Sequence, residues 1–368
     1  MAPKVYFTDF ATRNYETLPK KLARLILTAG IDKIDFEGKF VAIKIHFGEL
    51  GNMAHLRSGY ARVLVDIIKD LGGKPFLTDA NTLYRGSRKN ALDHIETAYL
   101  NGFTPYSTGA HVLIADGLKG TDEVAVPVKD GVYVKEALIG RAIMDADIVI
   151  SLNHFKGHEE AGFGGALKNL GMGSGSRAGK RHMHSDCRPV VDPEKCVACG
   201  ACADICAHDA PNLVDGKMAV DWNKCYGCGR CLDVCPTKAI AADDHDAALF
   251  LNYKIAEYTK AVVDGRPHFH ISLVRDISPY CDCHAENDIP IVPDVGMFAS
   301  FDPVALDLAC ADAVNAQTAN PGSKLAEANR PDLDNLTAPF PHTSWRAQIE
   351  HAKKIGLGED CYELVNIG

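Results

Sequence analysis

The clearest chemical signal in this sequence is a cysteine spacing that occurs twice between residues 196 and 235. Both copies have the form C-x2-C-x2-C-x3-C, and together they hold eight of the 13 cysteines. Three thiolates two residues apart can surround one face of an iron–sulfur cube, while the fourth reaches a second cube. Two structural zinc sites are the alternative, but zinc needs only four ligands and usually takes two separated C-x2-C pairs. The spacing therefore favours iron–sulfur sites over zinc sites.

The segment from about 188 to 242 resembles the bacterial ferredoxin family. The resemblance implies two 4Fe–4S clusters, with Cys196, Cys199, Cys202 and Cys235 around one, and Cys225, Cys228, Cys231 and Cys206 around the other. Ala207 stands where that family usually has a proline, whereas Pro236 keeps the second proline. Because the proline shapes the turn and excludes water, we expect its loss to alter a cluster potential without removing the cluster.

A second group of reactive side chains lies between residues 154 and 173, where histidines and lysines are interspersed with glycines. A glycine-rich turn before a helix can hold an anionic ligand through backbone amides and the helix dipole. The expected catalytic residues are His154, Lys156, His158 and Lys168, and the expected cofactor-binding residues are Gly162, Gly164, Gly165 and Asn169. A tight turn with a purely structural role is the alternative.

Two earlier stretches carry polar residues just after candidate strands. His46 and Glu49 flank a glycine turn, and we expect them to be catalytic residues that face a ligand crevice. Asn81 and Arg85 lie in a turn rich in polar residues, which suits a bound carboxylate or phosphate. Turns with incidental polar residues are the alternative in both places.

The stretch from Ser278 to His284 is unusually rich in metal-binding side chains. Cys281, Cys283 and His284 occupy four residues, and the two thiols point the same way if the segment is extended. With a soft metal or a bound organic cofactor they would form an additional site, which we expect to lie near His158. Two buried, inert cysteines are the alternative.

The motif His158-x-x-Ala-Gly-Phe-x-Gly165, followed by Lys168, resembles a segment of the nickel-pincer lactate racemases. This resemblance implies an acid–base role for His158 and a cofactor-facing cation at Lys168. The metal-binding histidine of that family has no clear counterpart, and His182 and His184 are only nearby. As a whole, the chain resembles a family of iron–sulfur-centre proteins of unknown function, widespread in anaerobes, in which an α/β domain carries a ferredoxin insert.

These sites require elements that bring strand ends together. Before residue 150, short apolar runs alternate with amphipathic stretches, which predicts an α/β fold with a mostly parallel sheet and helices on both faces. Ligand crevices of such sheets form at the carboxyl ends of the strands. The predicted strands are 41–47, 74–79, 111–116, 147–153, 268–274 and 362–367, and the predicted helices are 18–29, 60–71, 90–101, 247–263, one that begins at Asp302-Pro303, and 344–355.

The simplest organisation is one α/β domain interrupted by a small insert. Its first part spans 1–187, the two-cluster insert spans 188–245, and its second part spans 246–368. Three domains in series are the alternative.

Composition excludes several classes of protein. The 368 residues carry a net charge of −9, which argues against the broad basic surface of a nucleic-acid-binding protein. The sequence has no run of about 18 apolar residues that could span a membrane. Its first residues lack the basic segment and apolar run of a secretory signal, so we expect a cytoplasmic protein.

Together these features predict an iron–sulfur oxidoreductase that passes electrons to or from a small ligand or cofactor in an α/β crevice. A redox partner protein, such as a ferredoxin or a reductase, is then expected. One alternative is a non-catalytic, ferredoxin-type electron carrier whose α/β domain docks a partner. Another is a racemase-like enzyme with accessory clusters.

Overall fold

An eight-stranded sheet forms the centre of the computed structural model, which describes residues 2–13, 15–185, 189–225, 227, 230–242 and 246–368. The strands are β1 Lys4–Thr8, β2 Phe40–Lys44, β3 Lys74–Asp79, β4 Val112–Ile114, β5 Glu123–Pro127, β6 Glu136–Gly140, β7 Ile148–His154, β8 Lys156–His158, β9 Gly162–Gly164, β10 Pro189–Val191, β11 Pro211–Val214, β12 Lys217–Val220, β13 Ile240–Ala242, β14 His268–Val274, β15 Gly296–Ser300 and β16 Glu363–Asn366.

The helices are α1 Leu18–Thr28, α2 Ser58–Asp70, α3 Ala91–Leu100, α4 Pro105–Thr108, α5 Arg141–Asp145, α6 Ala166–Ser174, α7 Arg177–Met183, α8 Ala201–Ile205, α9 Arg230–Asp233, α10 Ala247–Val263, α11 Pro303–Asn315, α12 Lys324–Ala328 and α13 Trp345–Lys354. In the described ranges, no helix combines the length and the apolar character that crossing a bilayer requires.

The sheet has the strand order β16-β1-β15-β14-β7-β2-β3-β4. Its neighbours are parallel except where β15 pairs with β1 and β14. Strands from before residue 188 and after residue 246 thus share one sheet. The predicted domain boundaries themselves fall in 186–188 and 243–245, outside the described residues, and stay predictions.

Helices cover both faces of this sheet, as the nearly continuous apolar strands predicted. On one face, Ile43 and Ile150 belong to the same core as Leu22 of α1 and Leu64 of α2. On the other, Val149 packs in a core with residues of α6 and α10, and a third core joins the sheet to α11 and α13. Alternate side chains of each central strand are therefore buried on opposite faces.

The predicted elements differ from the structure mainly at their ends. Strand β2 ends at Lys44, before the predicted end at 47, because the chain turns through Gly48 with φ of +82°. The short strands β1 and β15 were not predicted, since neither carries a long β-branched run.

The described residues between 189 and 242, here called the 189–242 unit, form two small sheets apart from the central one. Strand β10 pairs with β13 and β11 pairs with β12, both antiparallel. Cys196, Met218, Cys235 and Ile240 belong to its small core. A ferredoxin-like nature of this unit stays a prediction.

Candidate functional site

The carboxyl ends of β14, β7, β2 and β3 surround a cavity of about 100 Å³, here called the crevice. Its walls include β8, β9 and α6, together with a loop that follows β14. Ten of the predicted site residues line it: His46, His154, Lys156, His158, Gly164, Gly165, Lys168, Asn169, Cys281 and Cys283. Five others do not: Glu49, Asn81, Arg85, Gly162 and His284.

Lys168 and Cys281 form the central contact of the crevice. Lys168 lies in the first turn of α6, and its Nζ is 3.6 Å from the Cys281 Sγ. Burial alone would lower the pKa of Lys168, but the neighbouring Cys281 and Cys283 thiols raise it above its ordinary value. The cation and the thiol thus favour the ion pair of an ammonium and a thiolate.

The pKa values of the two thiols of the loop are shifted in opposite directions. A hydrogen bond from Cys283 holds the pKa of Cys281 well below its usual range despite burial, and Lys168 and His158 lower it further. The same hydrogen bond, together with burial, holds the pKa of Cys283 well above its usual range. Cys281 is therefore the thiolate of the pair and Cys283 the thiol.

The segment that carries these thiols is a turn. The two thiols were expected to point the same way only if this segment were extended, and it is not. The backbone N–H of His284 donates to the carbonyl of Cys281 over 3.0 Å. Asp282 anchors the turn from within, because its carboxylate lies 2.8 Å from His154 Nδ1 and 3.3 Å from Lys156 Nζ. His154 and Lys156 also line the crevice. Through their contacts with Asp282, they position the turn.

His158 presents one defined nitrogen to the crevice. Its Nδ1 accepts the backbone N–H groups of Glu160 and Ala161 at 3.0 and 3.1 Å. The ring proton of the neutral side chain therefore sits on Nε2. A hydrogen bond between His158 and the Cys281 thiol accounts for part of the lowered pKa of Cys281. His158 is thus placed to donate or accept a proton at the sulfur.

A buried polar network forms the floor of the crevice. Lys44 Nζ lies 2.8 Å from Asp79 Oδ1 and donates to Asn169 Oδ1 over 2.6 Å. Burial opposes ionisation of Asp79, but Lys44 and other cations hold its pKa below the usual range. Nearby, burial and the positive charge of Arg88 lower the pKa of His46 to about 3, so His46 is neutral. Asn169, predicted to bind a cofactor, therefore also has a structural role as the hydrogen-bond acceptor for Lys44.

Glu49 and Asn81, which do not line the crevice, contact other side chains of the protein. Glu49 accepts hydrogen bonds from Ser87 and pairs with Arg88 at 3.1 Å. Asn81 donates to Asp116 over 2.8 Å. Both side chains thus contact other protein groups, although Asn81 Oδ1 has no hydrogen-bond partner among the described residues, and their ligand contacts stay predictions.

Arg85 and Gly162 also have structural roles away from the crevice. The half-exposed Arg85 lies 3.7 Å from Asp209, so it faces the 189–242 unit. Gly162 has φ of +84°, and a Cβ there would lie 2.7 Å from the Cβ of Trp345. A tight turn therefore requires this glycine, in agreement with the structural alternative for this position.

His284 lies beside the crevice, within a group that could bind a metal. Glu159, Cys283 and His284 offer ligand atoms within 4.8 Å of one another, and this group does not include Cys281. However, His284 Nδ1 lies 3.0 Å from the guanidinium of Arg230, which opposes a metal cation there. The additional metal at Cys281, Cys283 and His284 stays a prediction.

Arg230 is the crevice residue that the sequence analysis missed most clearly. It begins α9 in the 189–242 unit, yet its Nη2 donates to the Cys283 carbonyl over 3.3 Å. Its guanidinium also stacks on Tyr84, 4.5 Å from the ring centroid. A lone arginine beside a cysteine carries no sequence signal for such a role.

The cysteines of the 189–242 unit gather around two further cavities. A cavity of about 80 Å³ is lined by all four members of the first implied set, Cys196, Cys199, Cys202 and Cys235. A cavity of about 30 Å³ is lined by Cys206, Cys225 and Cys231 of the second set. Cys228 lies outside the described residues.

Two of these sulfurs accept hydrogen bonds from the backbone. Backbone N–H groups of Met218 and Ala239 donate to Cys196 and Cys235 over 3.4 and 3.2 Å. Such bonds tune cluster potentials. Zinc ligands at about 2.3 Å would place sulfurs about 3.8 Å apart. Among the described cysteines of both sets, no three sulfurs lie within 4.8 Å of one another.

Fold and site together define an α/β protein with a crevice at the carboxyl ends of its parallel strands. The chain belongs to the family described as a domain of unknown function (DUF362), whose model matches residues 41–312. None of the curated proteins matches this chain.

Two solved structures are similar to the chain at low identity. A crystal structure of a protein from Thermotoga maritima is 13% identical, with 83% of this chain and 58% of that chain covered and a TM-score of 0.44. The lactate racemase apoprotein from Thermoanaerobacterium thermosaccharolyticum is also 13% identical, with 71% and 46% covered and a TM-score of 0.35. The chain thus spans about half the length of these two proteins.

Proposed function

We propose that this protein is an iron–sulfur oxidoreductase in which the 189–242 unit exchanges electrons with a ligand in the crevice. One observation carries the proposal: Arg230 lines both the crevice and the cavity of the second cysteine set. One residue therefore borders both sites.

The cysteine residues support the electron-transfer part of the proposal. Cys196, Cys199, Cys202 and Cys235 would hold one 4Fe–4S cluster, and Cys206, Cys225 and Cys231, with Cys228, the other. When bound, such clusters take up and release one electron each. The N–H groups that point at Cys196 and Cys235 would stabilise negative charge on their sulfurs.

The crevice residues support the enzymatic part. Five cations line it, Arg88, Lys156, Lys168, Lys180 and Arg230, against the three carboxylates of Asp79, Glu159 and Glu160. Thr82 also lines it, and its buried hydroxyl has no hydrogen-bond partner among the described residues. An anionic ligand fits this excess of positive charge. A pure electron carrier would need no such cavity.

Redox titration of anaerobically purified protein tests this proposal. We expect about eight irons per chain and two one-electron transitions. Arg230→Ala should move one potential to more negative values, because a nearby cation stabilises the reduced cluster. Arg330→Ala, at an exposed arginine paired with Asp332, is the matched control and should move neither. Stoichiometric zinc with negligible iron would overturn the proposal, and so would two reduction potentials that are the same in Arg230→Ala as in the wild type.

A further inference from the structure

We propose that Cys281 and Cys283 are a redox-active dithiol and that the crevice reduces a small organic disulfide carrying negative charge. The inference concerns the substrate class of the crevice. For its electron supply, it rests on the proposed function.

The geometry separates the two thiols into an attacking and a resolving member. Cys281 is buried against Lys168, with the Nζ 3.6 Å from its sulfur, and His158 faces the same sulfur. Cys283 is only half-buried and lines the same crevice, two positions further along the turn. A thiolate held by a cation, beside a second thiol, is the arrangement that thiol–disulfide exchange requires.

The turn that carries the pair is held rigidly in place. Asp282 is fully buried and bound by His154 and Lys156, which follow the neighbouring strand β7. The backbone N–H of Glu49 donates to the Asp282 carbonyl over 2.8 Å. Each cysteine flanks this anchored aspartate, so both sulfurs stay at the same end of the sheet in either redox state.

The exchange balances in three steps. The Cys281 thiolate attacks one sulfur of the substrate R–S–S–R, a mixed disulfide forms and RS⁻ leaves. The proton of Cys283 passes to this RS⁻, and the resulting Cys283 thiolate attacks the Cys281 sulfur, which forms the Cys281–Cys283 disulfide and releases a second RS⁻. Two electrons and two protons then restore the dithiol pair and protonate this RS⁻, so that one R–S–S–R yields two RSH.

The electrons come from a one-electron donor protein and arrive singly through the 189–242 unit. Arg230 contacts the Cys283 carbonyl over 3.3 Å, so this unit touches the dithiol turn directly. Lys168, Lys180 and Arg230 line the same cavity and favour an anionic substrate. Dithiodiglycolate, a small dianionic disulfide, and cystamine, a dicationic disulfide of similar size, are therefore matched probes.

Anaerobic holoprotein treated with dithiodiglycolate and mapped by peptide mass spectrometry tests the proposal. Wild-type protein should form the Cys281–Cys283 disulfide. Cys283→Ser should accumulate a mixed disulfide on Cys281, whereas Cys281→Ser should leave Cys283 largely unmodified. Cys310→Ser, at a buried thiol outside the crevice, is the control and should behave as wild type.

The charge of the probe gives a second readout that needs no variant. Reaction of wild-type Cys281 should be at least tenfold faster with dithiodiglycolate than with cystamine. Equal rates, or modification that favours the exposed Cys361 over Cys281, would overturn the dithiol proposal even if both clusters are present. Conversely, the expected exchange in a protein without iron would leave the dithiol proposal standing and remove the proposed electron supply.

Discussion

Lys168 Nζ and Cys281 Sγ lie 3.6 Å apart although 113 positions separate them in the sequence. Helix α6 brings the lysine, and the loop after β14 brings the thiol. The pair therefore exists only in the folded protein, and its electrostatics can be tested directly.

Replacement of Lys168 by methionine should raise the pKa of the Cys281 thiol. A charge-assisted contact is worth about 1.5–3 kcal/mol, which corresponds to at least about one pKa unit. We expect the midpoint of the pH profile for alkylation of Cys281 by iodoacetamide to move up by about one unit or more, as measured by peptide mass spectrometry. Lys353→Met, at an exposed lysine, should leave the midpoint unchanged. An unaltered midpoint in Lys168→Met would show that the cation does not stabilise the thiolate.

Loss of His158 should affect proton transfer more than binding. Its Nδ1 is held by two backbone N–H groups, so only Nε2 can exchange a proton in the crevice. We expect His158→Ala to lower turnover of dithiodiglycolate by reduced holoprotein about 10²-fold, with little change in KM. His111→Ala, at an exposed histidine, is the control. A change confined to KM would assign His158 to binding instead.

Cys196→Ser should remove or convert one cluster and leave the α/β fold intact, because the 189–242 unit has its own core. Iron should fall from about eight toward about four per chain, with the far-ultraviolet circular dichroism nearly unchanged. Cys361→Ser changes an exposed thiol elsewhere and should keep all the iron. Full iron content in Cys196→Ser would exclude this residue as a ligand.

Glu257 should make one loop sensitive to acid. Its carboxylate accepts the N–H groups of Val132, Tyr133 and Val134 and pairs with His351 at 2.8 Å. Burial opposes ionisation, but these bonds hold the pKa of Glu257 below its ordinary 4.5. The ionised Glu257 therefore contributes its full stabilisation of the folded state above about pH 4.5. This contribution is lost as the pH falls through the lower pKa that Glu257 has in the folded protein.

We accordingly expect Glu257→Gln to speed hydrogen exchange of the 132–134 amides about tenfold or more at pH 7, since unsatisfied buried groups cost about 1–3 kcal/mol. The ratio of variant to wild-type exchange should shrink below the folded pKa. A ratio that stays constant down to that pH would contradict the assignment.

Two glycine substitutions should have opposite effects on stability. A Cβ on Gly171 of α6 would lie 2.3 Å from the carbonyl oxygen of Ile255 in α10, whereas one on Gly59 of α2 meets nothing within 4 Å. Gly171→Ala should cost about 1–3 kcal/mol by overpacking, and Gly59→Ala should add about 0.4–1 kcal/mol. Thermal unfolding of both variants checks this, and a stable Gly171→Ala would show that α6 and α10 can move apart.

Strand and helix patterns predicted most of the α/β architecture because burial on two faces leaves long apolar runs. Strand β3 and helix α10 occur at their predicted bounds. Strand β15 reads Gly-Met-Phe-Ala-Ser, a sequence with no β-branched residue, and its position between β1 and β14 depends on packing alone. Such a strand has no local signal to detect.

The candidate site was predictable where residue type and strand position agree. His158, Lys168, Cys281 and Cys283 follow strands whose ends meet, so their convergence follows from the sheet. Asp282 and Arg230 were missed for a different reason. Their roles arise from contacts with distant segments, and no spacing along the chain encodes such contacts.

Residues from three separate parts of the chain line the crevice. Lys168 lies before the 189–242 unit, Arg230 lies within it, and Cys281 lies after it. During synthesis, the ribosome must therefore release the last of these stretches before the crevice can close. A nascent chain that ends before residue 281 carries Lys168 without its thiol partner. A fragment of either flanking part alone is incomplete in the same way, so the crevice can form only when both parts are present.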